Sequence, residues 1–212
     1  MPDASGPPPS VNSLYAGVDR ALNTLCANGK PVGNCTWGVY LFHDYDGEPI
    51  YVGQTRERLR VRIKRHLTNQ RTDAVAMNVL DPFEVADIEM WPFWEDPGAE
   101  TLDRAEYTVY SKALSDSKFA AILNEKAPNK ADFLDLPKSI RVSLRPDMAS
   151  QGEREHPDIR LARRARTIAN LARVISERRV QVGIRRTLWA QAKRLESLAK
   201  QRLDTLTQED AP

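Results

Sequence analysis

Gly38-Val39-Tyr40 and Tyr51-Val52-Gly53, separated by Asp46-Gly47, decide the fold of this chain. Each tripeptide lies in a run of β-branched and aromatic residues, and a D-G dipeptide between two such runs is a strong hairpin signal. A two-residue turn at Asp46-Gly47 sets Tyr45 opposite Glu48, Phe42 opposite Tyr51 and Tyr40 opposite Gly53. Side chains alternate across a strand, so Tyr40, Phe42 and Tyr51 share one face. The two tyrosines become diagonal neighbours about 7–8 Å apart. A slip of one residue would send Tyr51 to the other face from Tyr40, so the turn carries the argument.

Outward from the hairpin, residues 57–67 form a basic helix with Leu59, Ile63 and Leu67 as its buried stripe. Arg62 and His66 are one turn apart on one face, with Arg58 a turn earlier, looking sideways over the tyrosine face. Before the hairpin, residues 11–28 carry a helical pattern. After it, a third strand is expected within residues 83–94, ended or placed at an edge by Pro92. A helix over residues 99–114 follows. There Glu106 falls on the stripe of Leu102, Val109 and Ala113, where a carboxylate is costly unless it is paired, coordinates a cation or snorkels to water. The order β-β-α-β-α indicates a mixed α/β (α+β) core over residues 36–130, a three-stranded antiparallel sheet flanked by helices. Residues 1–10 look like a disordered lead, 11–35 like a helix and connection, 131–157 like a linker or arm, and 207–212 like a disordered tail.

Two helices are expected within residues 158–206, broken at Gly183. Their apolar stripes are Leu161, Ala165, Ile168, Ala172 and Ile175, then Leu188, Ala192, Leu195, Ala199 and Leu203. The net charge of +2 hides an asymmetry: residues 153–204 hold fourteen Lys/Arg against six Asp/Glu. Local basic surfaces on a near-neutral chain suggest contact with a polyanion at defined places. The basic helices read as a DNA-contacting hairpin, a dimerising hairpin that makes a homodimer, or a cap on the core with solvated arginines. With 41% apolar and 28% charged residues the composition is that of a soluble globular protein, and no apolar run spans a membrane. Cys26 and Cys35 match no zinc spacing, which leaves a reduced, cytoplasmic setting as the expectation. His43 and His156 read as structural or surface residues.

GVY, YVG eleven residues later, R-x-x-x-H on the next helix and a helical Glu together resemble the GIY-YIG nuclease family over residues 36–130, with Val in place of Ile in both tripeptides. That family includes modules of homing endonucleases, an excision-repair incision subunit and some Type II restriction enzymes. The resemblance implies that Tyr40 and Tyr51 position, and help deprotonate, the attacking water. It implies that Arg62 binds the scissile phosphate, that His66 bonds a tyrosine hydroxyl or assists as base, and that Glu106 is the protein ligand of one Mg²⁺ or Mn²⁺. Arg58, Lys64 and Arg65 would add phosphate contacts. Asn124 would close the motif, with Asn129 competing because Asn124 lies eighteen residues past Glu106. A tyrosine pKa near 10 means that either phenol needs a cation or a basic partner to act as a base near neutral pH. The implied activity is metal-dependent DNA cleavage, with a restriction enzyme as the first reading. Repair or phage-defence nucleases, a non-catalytic nucleic-acid-binding module and a protein-interaction adaptor are the alternatives.

Overall fold

The computed structural model describes residues 7–68, 79–145 and 154–209. Strands β1 (Trp37–His43) and β2 (Pro49–Thr55) pair antiparallel with Tyr40 opposite Gly53 and Phe42 opposite Tyr51, as the sequence predicts. The turn itself differs. Asp44 N–H donates to Glu48 C=O at 3.0 Å, which leaves three residues in the loop, with Gly47 in the left-handed region at φ 74°. His43 then pairs with Pro49, and a bulge next to Phe42 restores the register. A three-residue loop with an αL glycine is a standard hairpin closure, and here the extra loop residue and the bulge cancel.

The sheet has four strands rather than three, in the order β2-β1-β3-β4, all antiparallel. β3 (Asp87–Phe93) lies beside β1, and Pro92 falls past Met90, the last residue that pairs with the outer strand. That outer strand, β4 (Ile140–Ser143), comes from the polar stretch read as a linker. Its alternation Ile140/Val142 is too short to stand out in sequence. Helices cover both faces of the sheet, which is why β1 is buried along nearly its whole length. On one face lie α1 (Pro9–Asn23) and α2 (Leu59–Leu67), against Tyr40, Phe42 and Ile50. On the other lies α3 (Ala99–Asp116), whose Leu102, Ala105 and Val109 pack on Val39, Leu41 and Val52. Helix α1 begins at Pro9 within the expected disordered lead, of which residues 1–6 lie outside the described residues.

The basic C-terminal helices, α4 (Pro157–Glu177) and α5 (Val182–Glu209), pack together and onto the α1–α2 face of the core. Helix α5 extends into the expected tail, whose residues 210–212 lie outside the described ones. The buried faces are rotated by about one residue from the predicted stripes. Arg160, Arg164, Thr167, Leu171 and Val174 are buried on α4, while Ala165 and Ala172 are exposed; Arg194 is buried on α5, while Ala192 and Leu203 are exposed. The reason is electrostatic. Arg164 and Arg194 reach Asp44 at 3.1 and 3.0 Å, Arg160 reaches Asp46 at 2.6 Å, and Arg163 and Arg164 hold Glu84 at 2.9 and 3.0 Å. Arg194 also donates to the Pro49 carbonyl at 2.7 Å. A buried guanidinium demands a carboxylate, and the hairpin tip supplies three within five residues. These arginines therefore stitch the helices to the core instead of facing solvent or DNA.

Candidate active site

The hairpin's period-two alternation and the shortness of its cross-strand spacing build the floor of the site. The Tyr40 and Tyr51 rings lie 6.4 Å apart, Tyr51 packs on the His66 ring at 5.2 Å, and Tyr40 on the same ring at 5.8 Å. Gly53 is required by this packing. Tyr40 lies directly across it, and a Cβ at position 53 would run into the Tyr40 hydroxyl. Helix α2 starts four residues after β2 ends, so its Arg62 and His66 arrive over the same face.

There the side chains form a chain of contacts. Arg62 Nε–H donates to the Tyr40 oxygen at 3.3 Å, and that hydroxyl lies 2.9 Å from His66 Nε2. With the imidazole proton on Nδ1, Nε2 accepts the Tyr40 proton while the Tyr40 oxygen accepts from Arg62. Tyr40 is wholly buried, and burial raises its pKa far above the ordinary phenol value. Tyr51 is the phenol that fronts the open space.

Glu106 arrives from the opposite layer. It is not on the buried stripe of α3, which Leu102, Ala105, Val109 and Ala113 form, but flanks it at the β2 edge. Gln54, the residue after Gly53, meets it there: its side-chain amide donates to Glu106 at 3.1 Å and to Asp103 at 2.7 Å. Burial raises the Glu106 pKa above the usual carboxylate value, and the Gln54 hydrogen bond opposes the rise. The Gln54 carbonyl oxygen is buried without a hydrogen-bond partner. Sequence reasoning missed Gln54. The available signal was alternation, since Gln54 follows Val52 on the α3-facing side of β2, where an amide needs a partner.

Arg62, His66, Tyr51, Gln54, Glu106 and Asn124 all line one cavity of about 730 Å³. Asn124 does so as a brace for β2. Its side-chain oxygen accepts from Val52 N–H at 3.0 Å and its amide donates to Val52 C=O at 2.7 Å, so both polar groups serve the strand rather than a phosphate. Asn129 is exposed and does not line the cavity. The other inferred phosphate contacts also stand apart from it. Lys64 is held by Asp19 on α1 at 2.6 Å, Arg65 by Glu57 at 2.7 Å, and Arg58 is exposed at the start of α2. His43 is buried on the α3 side, with its pKa pushed down to about 4 by burial and by Arg141, and His156 caps α4. Among the described residues no group of three or more His, Cys, Asp or Glu gathers in a metal-binding arrangement.

Residues 36–118 match the family model of the GIY-YIG catalytic domain. The chain therefore carries a nuclease domain of the endonuclease type, and the resemblance drawn from the motifs stands for this segment. Neither the comparison with curated proteins nor that with solved structures gives a match. Such a domain implies DNA as substrate and, in general, dependence on a divalent metal. Among the described residues no helix is long and apolar enough to cross a membrane.

Proposed function

We propose that this chain hydrolyses phosphodiester bonds of DNA in a divalent-cation-dependent reaction, with Tyr40, Tyr51, Arg62, His66 and Glu106 as its working residues. The observation that carries this reading is that Arg62 and His66, both hydrogen-bonded to the buried Tyr40 hydroxyl, line one cavity with the Glu106 carboxylate from the opposite layer of the fold. Arg62 keeps its Nε on Tyr40 and leaves the two terminal nitrogens of its fork for the non-bridging oxygens of a phosphate. Tyr40 alone is a poor base, since its buried phenolate is disfavoured. As a wholly buried group it can accept a proton only as it passes its own to His66 Nε2, and the 2.9 Å contact is short enough for that transfer. Tyr51 orients the attacking water from the open side.

Glu106 and Gln54 fit a cation. A half-buried carboxylate with a raised pKa gains from a positive partner. The partnerless Gln54 oxygen beside it suits a water molecule on a hydrated hard ion, since an ion held by one carboxylate keeps most of its waters. When bound, Mg²⁺ or Mn²⁺ would neutralise charge on the phosphate and the leaving oxygen. We take sequence-specific restriction as the biological form of this activity.

The test is incubation of a long DNA of known sequence with the protein and Mg²⁺ or Mn²⁺, followed by sequencing of the ends. Discrete ends mark a restriction enzyme, and scattered ends mark a repair or defence nuclease. Glu106→Gln and Arg62→Ala should each lower kcat by about 10²–10³. Folded variants that cut at the parental rate would refute the assignment. Salt-sensitive binding without cleavage across a metal screen would make the chain a non-catalytic binder.

A further inference from the structure

Two groups stand out among the arginines of the C-terminal helices, beside the exposed Arg166 and the ion-paired Arg173 and Arg202. Those on the buried faces are matched by carboxylates, as described above. A second group sits at the connection between α4 and α5: Arg178 and Arg179 in the turn, then Arg185 and Arg186 just inside α5. All four are exposed, and none makes a hydrogen bond or an ion pair. The acid next to the turn, Glu177, is already taken by Arg173 at 3.0 Å. Cations near a helix N-terminus oppose its macrodipole, so helix stability does not account for Arg185 and Arg186.

Their position is fixed by close packing. Gly183 rests on the carbonyl of Glu125 so tightly that a Cβ there could not be accommodated. Glu125 and Lys126 are wall residues of the catalytic cavity, directly after Asn124. Arg186 lies close enough to Tyr110 on α3 for its charge to counter the effect of burial on that phenol. Tyr110 is one helical turn beyond Glu106. The turn is therefore held at the rim of the cavity, beside the helix that carries the carboxylate.

We propose that the α4–α5 turn is a docking surface for the phosphate backbone of duplex DNA, which it holds beside the catalytic cavity through Arg178, Arg179, Arg185 and Arg186. Unpaired guanidinium groups on a fixed rim suit a partner that carries regularly spaced negative charge, and such contacts supply sequence-independent affinity. Exposed Trp189, one turn further along α5, extends the surface with an aromatic face. The assignment rests on the nuclease reading for its substrate, but its test does not require cleavage.

The experiment measures binding of a labelled DNA duplex to the full chain without divalent cation, by fluorescence anisotropy over a range of salt. The variant R178Q/R179Q/R185Q/R186Q should keep the parental circular dichroism and melting temperature and lose at least about tenfold in affinity. The slope of log affinity against log salt should fall by about 3–4. A control variant, R141Q/R202Q, removes one exposed and one half-buried arginine, engaged with Asp87 and Asp158, and should bind as the parent does. If the fourfold variant does not fold, R178Q/R179Q and R185Q/R186Q separately should each reduce the slope by about 2. Parental affinity and slope in the folded variants would overturn the proposal. So would an equal loss in the control, or a loss confined to single-stranded DNA or RNA. A parent that binds through this turn and never cleaves would refute the nuclease reading alone. A parent that cleaves while the fourfold variant binds normally would refute the docking surface alone.

Discussion

The two ends of the β1–β2 hairpin handle charge in opposite ways. At the tip, Asp44, Asp46 and Glu48 are met by Arg160, Arg164 and Arg194, and the charges close on one another away from water. At the open end the balance is incomplete. Glu106 has an amide and no cationic ion-pair partner, the Gln54 oxygen has no hydrogen-bond partner, and Arg62 has a fork that only its Nε occupies. Matched charge fixes a fold, whereas charge left unmatched in a cavity is available to a ligand. The same division runs through the C-terminal arginines, paired on the docked face and unpaired at the turn.

The largest effect should come from breaking the matched end. Arg194→Met leaves Asp44 and the Pro49 carbonyl short of a donor in a buried site, and should cost about 3–5 kcal/mol in chemical denaturation. The contrast fails if this variant is no less stable than one with an exposed arginine replaced, such as Arg178→Gln. At the unmatched end, Gln54→Leu should leave stability nearly unchanged while weakening Mg²⁺ or Mn²⁺ binding about 10–100-fold by titration calorimetry, as loss of a supporting hydrogen bond does at metal sites. Unchanged metal affinity would remove Gln54 from the site. The smallest effect concerns pH. Glu106 must be ionised to hold a cation, and its pKa is raised by burial, so metal binding should fade on acidification at a pH above the usual carboxylate range. The Gln54 hydrogen bond lowers that pKa, so Gln54→Leu should move the acid limb to still higher pH. A limb that stays in place would show that Gln54 does not act on Glu106.

Much of the core could be read in advance because its signals are local. The pairing of Tyr40 with Gly53 and Phe42 with Tyr51 follows from strand alternation and a D-G turn, although the loop is one residue longer than the simplest closure and a bulge absorbs the difference. The approach of Arg62 and His66 follows from helical spacing and a short connection. Asn124 was picked out by position, but its work as a brace for Val52 depends on where residues 122–124 run in space. Strand β4 escaped notice because four residues at a sheet edge carry little pattern. Lys64 and Arg65 looked available only because Asp19 and Glu57 could not be placed beside them.

By itself the sequence determined the hairpin, its tyrosine face, the basic helix over it and the carboxylate on a later helix, since each rests on spacings of a few residues. Tertiary structure alone decided which face of the C-terminal helices is buried. Hydrophobic periodicity assigned that face to alanine and leucine, but the acids that override it lie at Asp44, Asp46 and Glu84, more than seventy residues earlier in the chain. The energy of a buried arginine depends on the carboxylate that meets it, and only the folded chain brings the two together.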